Sequence, residues 1–417
     1  MKAGLRTYAT VLADPATRAF SAAGLVARLP IAMTGIGIVL LVSLSTGSFG
    51  LAGVVTATAT LAGAVSAPLW GRTIDHVGQA PVLVTAATIW SVSLAVLVGS
   101  VEAGWPLPAV LAAAVGVGLG FSSAGSAVRA RWSHRLQGSP LLDTAFAVEA
   151  VLDEVIFIVG PVLVTFLATT VDPALALGVA GVVGLVGALV LAAQRGTEPP
   201  RRPRGSTDAP AVRINLAALA PVVVASVALG IVFGGMEVVV VAFATEADVL
   251  AYAGAILMAW AAGSLVSGVL TGTVTWRRSP AARFRIGSLC LAVSLVPLPF
   301  VHEPLLVAGL LVLSGMAIAP TLIASVAVTQ AAVPQTRLTE ALGWTSTGLA
   351  GGLAAGAAGL GALIDTGGAE LGFWGVVAAG VLLALAALGV RPRPAAGPAS
   401  PEEQAALAGV AAHPTPV

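Results

Sequence analysis

Charge is what this sequence has least of. Twenty basic and 19 acidic side chains are spread over 417 residues, or 9%, against about 25% in a soluble domain. So few ions cannot cover an aqueous surface, which excludes a water-soluble enzyme. A disordered chain is excluded too, because disorder needs low hydrophobicity. Cysteine is reduced to Cys290, inside an apolar run, so there is neither an intrachain disulfide nor a cysteine metal site. Lysine is reduced to Lys2, and every other basic residue is Arg. With the excess of Ala and Gly, this reads as the product of a high-GC bacterial genome. The net charge of +1 provides no basic field for nucleic acid.

What is present is apolar: 57% of residues, with a mean hydropathy of +0.98. About 20 apolar residues cross a bilayer as a helix. Twelve such runs emerge, at 20–44, 49–69, 81–101, 107–128, 141–169 and 174–193, then 216–245, 250–273, 286–301, 305–329, 340–364 and 371–390. The fold class expected is therefore an all-α membrane protein of twelve transmembrane helices. The first run is too long for the apolar core of a signal peptide and is expected to remain as a span. The polar stretch 194–215 divides the runs six and six. Residues 1–19 form a short N-terminal segment, and 391–417 a tail of Pro, Ala and Gly expected to be disordered.

Basic residues mark the cytoplasmic side of membrane helices. Counting sides along the chain, every Lys and Arg except Arg28 falls on the side of the termini and of 194–215. The opposite loops hold Glu102, Asp172, Glu246, Asp248, Glu303, Asp365 and Glu370, and no basic residue. Both termini are thus expected in the cytoplasm, with the protein in a bacterial inner membrane. Trp70, Trp105, Trp132, Trp276 and Trp374 lie near span ends and read as interface anchors.

The halves 20–193 and 216–390 are nearly equal in length. Ser66 to Gly71 reads SAPLWG where Ser267 to Gly272 reads SGVLTG, and Gly160 in the fifth span corresponds to Gly356 in the eleventh. Two pseudo-symmetric six-helix bundles suit a site that opens to either side in turn.

The turn after the second span reads Gly71-Arg72-Thr73-Ile74-Asp75-His76-Val77-Gly78-Gln79-Ala80. This resembles the G-x-x-x-D-R-x-G-R-R signature of the major facilitator superfamily, in the same loop. His76, Gln79 and Ala80 replace its basic residues, and only Arg72 stays basic. The resemblance implies that Asp75 latches the two halves on the cytoplasmic side, against the start of the eleventh span near Thr339 or against Arg129 or Arg131. Gly71 and Gly78 would permit close approach and a tight turn. Gly160-Pro161 resembles part of the signature of the family's drug–proton antiporters. The implied function is secondary active transport by alternating access, as proton-coupled export of a drug-like compound or metabolite. Uptake of a small solute is the alternative. The implied partners are the solute, the proton and the bilayer; neither cofactor nor metal is called for, and a monomer suffices.

A polytopic membrane enzyme is the rival of a different class. His76, His134, His302 and His413 all fall in loops or the tail, and there is no H-E-x-x-H, D-D-x-x-D or Walker A sequence.

Charges inside a bilayer are costly and point to function. Arg28 lies in the first span, Glu149, Asp153 and Glu154 in the fifth, and Glu237 in the seventh. Glu149 and Asp153 share a helix face with Gly160, while Glu154 points about 100° away. The resemblance places Arg28 and Glu237 on cavity-lining helices of opposite halves. Glu237 has no nearby sequence partner and is the first candidate for proton coupling. Asp153 is second, its basic sequence neighbours lying two or more turns away. The alternatives are that Arg28 reaches back to the cytoplasmic end, that Glu237 reaches water at the other, and that the fifth-span acids pair with Arg129, Arg131 or Arg135 as helix-bundle glue.

Overall fold

The computed structural model describes residues 10–121, 124–139, 141–201, 216–273, 278–333 and 338–390. The tail 391–417, most of the stretch 194–215, Trp276 and residues 1–9 lie outside the described residues, so the expectations made for them are not addressed. The described residues are helical: α1 Pro15–Thr46, α2 Phe49–Val77, α3 Gln79–Glu102, α4 Leu107–Leu119, α5 Ala124–Arg135, α6 Leu142–Thr170, α7 Pro173–Ala193, α8 Leu216–Glu246, α9 Ala253–Thr273, α10 Pro280–Leu295, α11 Pro304–Gly315, α12 Ile318–Ala332 and α13 Leu338–Leu388. Among the described residues, eleven helical stretches are long and apolar enough to cross a membrane.

Two expectations of unbroken spans need correction. The fourth run breaks into α4 and α5 after Gly120, and the tenth into α11 and α12 at Met316 and Ala317. The eleventh and twelfth runs follow one another in α13 as two helices, separated by the non-helical backbone of Gly367 and Gly368. Gly368 has φ +71°, a conformation that glycine adopts without steric cost. The helix restarts there because Glu246, at the end of α8, accepts a hydrogen bond from the Ala369 amide at 2.7 Å.

Local sequence fixes the other ends. Asp14, Ser48, Asp172 and Ser279 cap α1, α2, α7 and α10, each accepting a backbone N–H with its side chain. This satisfies donors left open by the first helical turn. Pro15, Pro173 and Pro280 occupy first helical positions, where a missing N–H costs nothing. Gly47 ends α1 in the left-handed region at φ +72°.

Lipid provides no hydrophobic drive between helices, so small residues set their approach. Gly230 and Gly234 of α8 meet Leu349 and Leu353 backbone, while Gly352 and Gly356 of α13 meet Val227 and Ile231. The Gly348–Gly356 run is therefore a packing seam. Close contacts also repeat between the two parts of the chain. Gly118 of α4 rests on Ala59 and Gly63 of α2, and Gly315 of α11 on Trp260 and Ser264 of α9. Ala59 and Gly63 stand to Trp260 and Ser264 at the same offset as Ser66 to Ser267, the segments whose sequences are alike.

Candidate functional site

Helix α1 brings together most of the intramembrane charge. Arg28 is buried at 3% exposure and Glu149 of α6 at 0%. Arg28 Nη2 donates to Glu149 Oε2 at 2.5 Å, and Nη1 to Asp153 Oδ1 at 2.6 Å. Its Nε donates to the Gly24 carbonyl at 3.0 Å. The second oxygen of Asp153 accepts from Arg129 of α5 at 2.6 Å. Glu149 also accepts from Ser21 Oγ at 2.6 Å and from Trp132 Nε1 at 2.8 Å. Two arginines and two carboxylates thus form a neutral tetrad joining α1, α5 and α6. Ion pairs this buried hold only when their remaining hydrogen-bond capacity is filled, and here Ser21 and Trp132 help to fill it.

This corrects several expectations. Arg28 neither reaches back to the end of its helix nor stands free. Asp153 has two basic partners, one of them 125 residues away in sequence. Trp132, expected at the interface, is fully buried because its indole N–H is needed by Glu149. Of the basic residues offered to the fifth-span acids, only Arg129 takes that place. Arg135 pairs instead with Asp14 at 2.7 Å. Arg131, fully buried, donates to Gln79 Oε1 at 2.8 Å, Thr197 Oγ1 at 2.8 Å, and the carbonyls of Gln194 and Leu191, both at 3.0 Å.

Two intramembrane acids remain outside the tetrad. Glu154 is half-buried on another face of α6, without a hydrogen-bond or ion-pair partner among the described residues. Glu237 of α8 is likewise half-buried and without such a partner among them. Its Oε2 lies against Gly35 of α1, only 2.6 Å from where a Cβ there would stand. Gly35 is seven residues beyond Arg28 on the same helix, about 10 Å along its axis.

Of the partners expected for the acid of the loop signature, Arg129 and Arg131 are not the ones, and the side chain of Thr339 lies outside the described residues. Asp75 is exposed, with no hydrogen-bond or ion-pair partner among the described residues, and Arg129 and Arg131 are engaged elsewhere. Arg72 is exposed too. Gly71 has open space around it, so close approach does not explain it. Gly78 makes the tight turn at φ +99° between α2 and α3. The Gln79 that replaces a signature arginine accepts from Arg131 and donates to the Ala127 carbonyl at 3.1 Å.

Where the first and second parts of the chain meet, the contacts are again paired. A Cβ on Gly53 of α2 would lie 2.7 Å from the Ala357 carbonyl carbon of α13, and one on Gly254 of α9 would lie 2.7 Å from the Pro161 carbonyl carbon of α6. Gly53 and Gly254 are related by the same offset as Ser66 and Ser267. Pro161 and Ala357 are related as Gly160 and Gly356 are. Gly160 itself packs on Ala32 of α1, 2.7 Å from its Cβ to a Cβ built on the glycine. At the end of this seam, Asp365 accepts from Ser48 Oγ and the Phe49 amide, both at 2.7 Å, and from the Gly50 amide at 2.9 Å. None of Gly53, Gly254 and Asp365 stood out in the sequence as a contact between halves.

The family model of the Major Facilitator Superfamily matches residues 20–305. The chain belongs to the major facilitator superfamily. No curated protein matches the sequence. Solved structures share the fold at low identity. The nucleoside transporter NupG aligns with TM-score 0.73 at 12% identity, covering 91% of this chain and 100% of that one. A bacterial homologue of the iron transporter ferroportin in the inward-facing state aligns with TM-score 0.68 at 15% identity, covering 90% and 99%. The human organic anion transporter MFSD10 aligns with TM-score 0.61 at 17% identity, covering 91% and 100%. This superfamily member is thus a multi-pass integral membrane protein with a transporter fold. Its relation to such different cargoes says nothing of its own.

Proposed function

We propose that this protein is a proton-coupled secondary transporter that exports a small solute by alternating access across a bacterial inner membrane, as a monomer with both termini in the cytoplasm. The twelve spans of the sequence, with α13 supplying two, form two six-helix halves joined by 194–215. The repeated offsets of the glycine contacts support that division. The contacts around Asp365 close the acidic end of the seam, and the exposed Asp75 fits an open arginine-rich end.

One observation carries the coupling. Glu237, contributed by one half, faces Gly35 of the other and has no hydrogen-bond or ion-pair partner among the described residues, whereas Arg28, Arg129, Glu149 and Asp153 neutralise one another. A lone carboxylate between moving bundles can take a proton from one side and release it to the other. Gly160-Pro161 lies at the seam between α6, α1 and α9, which fits the antiporter resemblance. In vesicles with an imposed pH gradient, Glu237→Gln is expected to abolish uphill movement of a transported solute while substrate exchange stays measurable. Uphill transport with unchanged pH dependence would make Glu237 structural and pass the assignment to Glu154, the other intramembrane acid without a partner among the described residues.

A further inference from the structure

A groove of about 620 Å³ lies away from the helix seam, between the start of α3 and the end of α7. Its walls are apolar: Ala80 and Val84 on one side, Leu189 and Ala193 on the other. Arg195 and Arg201 line it as well, both exposed and without a hydrogen-bond or ion-pair partner among the described residues, Arg201 lying against Gly78 where the Glu198 carboxylate also stands. The one acid in the lining, Glu198, is already engaged, since its Oε1 accepts from the Gln79 amide at the first turn of α3. The groove therefore brings two exposed arginines to an aliphatic slot, at the arginine-rich end of the spans.

We propose that this groove binds the headgroup and upper acyl chain of an anionic phospholipid. Guanidinium recognises phosphate through paired N–H donors, and an apolar slot beside the charges suits a chain rather than free phosphate. The continuing stretch 202–215 is a poor occupant. It carries Arg202, Arg204 and Arg213 against Asp208 alone, so it would add positive charge beside two arginines. The arrangement tethers the end of the first six spans to the lipid leaflet and is independent of Glu237 chemistry.

The test uses the full chain in phosphatidylcholine nanodiscs, with and without phosphatidylglycerol, and counts retained phosphatidylglycerol by native mass spectrometry. About 1 kcal/mol per arginine near the surface corresponds to about 30-fold weaker retention for the Arg195→Gln/Arg201→Gln pair. Arg278→Gln, an exposed arginine on another loop of the same end, is expected to change retention little. Leu189→Trp, which fills the slot and leaves both charges, is expected to reduce it as well. Equal losses in the groove pair and in Arg278→Gln would reduce the effect to bulk surface charge and overturn the site. So would unchanged retention in the groove pair, or inorganic phosphate displacing the lipid at millimolar concentration.

Discussion

The paired glycines at the seam make a quantitative prediction about conformation. An alanine at 53 would set its Cβ 2.7 Å from the Ala357 carbonyl carbon, and one at 254 would set it 2.7 Å from the Pro161 carbonyl carbon. Ordinary carbon–carbon contact is about 3.5–4.0 Å. The carbonyl oxygens of the same two residues stand closer still, and the obstacle is backbone in both cases, so no rotamer change relieves it and the helices must separate by about an ångström or more. Overpacking of this kind costs about 1–3 kcal/mol. The penalty applies only while the seam is closed and vanishes once the helices part. The balance should therefore move toward the conformer open at the acidic end by about 5- to 150-fold. Gly359→Ala is the control, since that glycine has open space around it and gains the same helix propensity, about 1 kcal/mol. The assay is the distance distribution between spin labels at Thr46 and Thr366, exposed residues across the seam, in a Cys290→Ser background. Gly53→Ala and Gly254→Ala should each raise the long-distance population, by similar amounts. If both leave the distribution as Gly359→Ala leaves it, the seam is not a bearing between halves and the repeat relation has no mechanical meaning.

Breaking the tetrad should cost more than removing it. Glu149→Gln leaves Arg28 buried with reduced compensation and is expected to lower stability by about 3–5 kcal/mol, whereas adding Arg28→Met should recover part of that loss; strictly additive thermal shifts would refute the coupling. At the N-cap of α1, the Arg135 hydrogen bond to Asp14, aided by the Ala16 amide, holds the carboxyl below its ordinary range. That contribution is present at neutral pH and lost as the medium is acidified through the lowered value, so the difference in thermal midpoint between wild type and Asp14→Asn should shrink to nothing in acid; a difference that grows on acidification would reverse the assignment.

The spans were legible because bilayer thickness imposes a length and a composition that no short-range detail can mask. The tetrad was not, because its partners are 121 and 125 residues apart in sequence and periodicity reports only the face of one helix. The Asp365 contact, across more than 300 residues, was hidden for the same reason. The partner of the signature loop was not legible either. Its acid was recognisable, but a motif does not record whether its partner is engaged, and Arg129 and Arg131 serve Asp153 and Gln79. The breaks in the fourth and tenth runs were invisible to hydropathy, since Gly120, Met316 and Ala317 are as apolar as the helices they interrupt.

The ionic layout also constrains what the proposed cycle can do. Four charges on α1, α5 and α6 sum to zero, so a proton on Glu149 or Asp153 would leave the buried Arg28 short of counter-charge. They are suited to holding three helices together through a conformational change. Glu237 is under no such constraint, because nothing in the described protein depends on its charge. Ionised and dry, it would cost several kcal/mol. Protonated, it costs little; ionised, it needs water or a solute that brings positive charge or hydrogen-bond donors. A proton and such a solute would then compete for one carboxylate, and exclusive occupancy is what couples their movement in opposite directions. The same competition fails if Glu237 finds a fixed basic partner, so Gly35→Arg, which would place a guanidinium beside it, should abolish coupling even with every native acid retained.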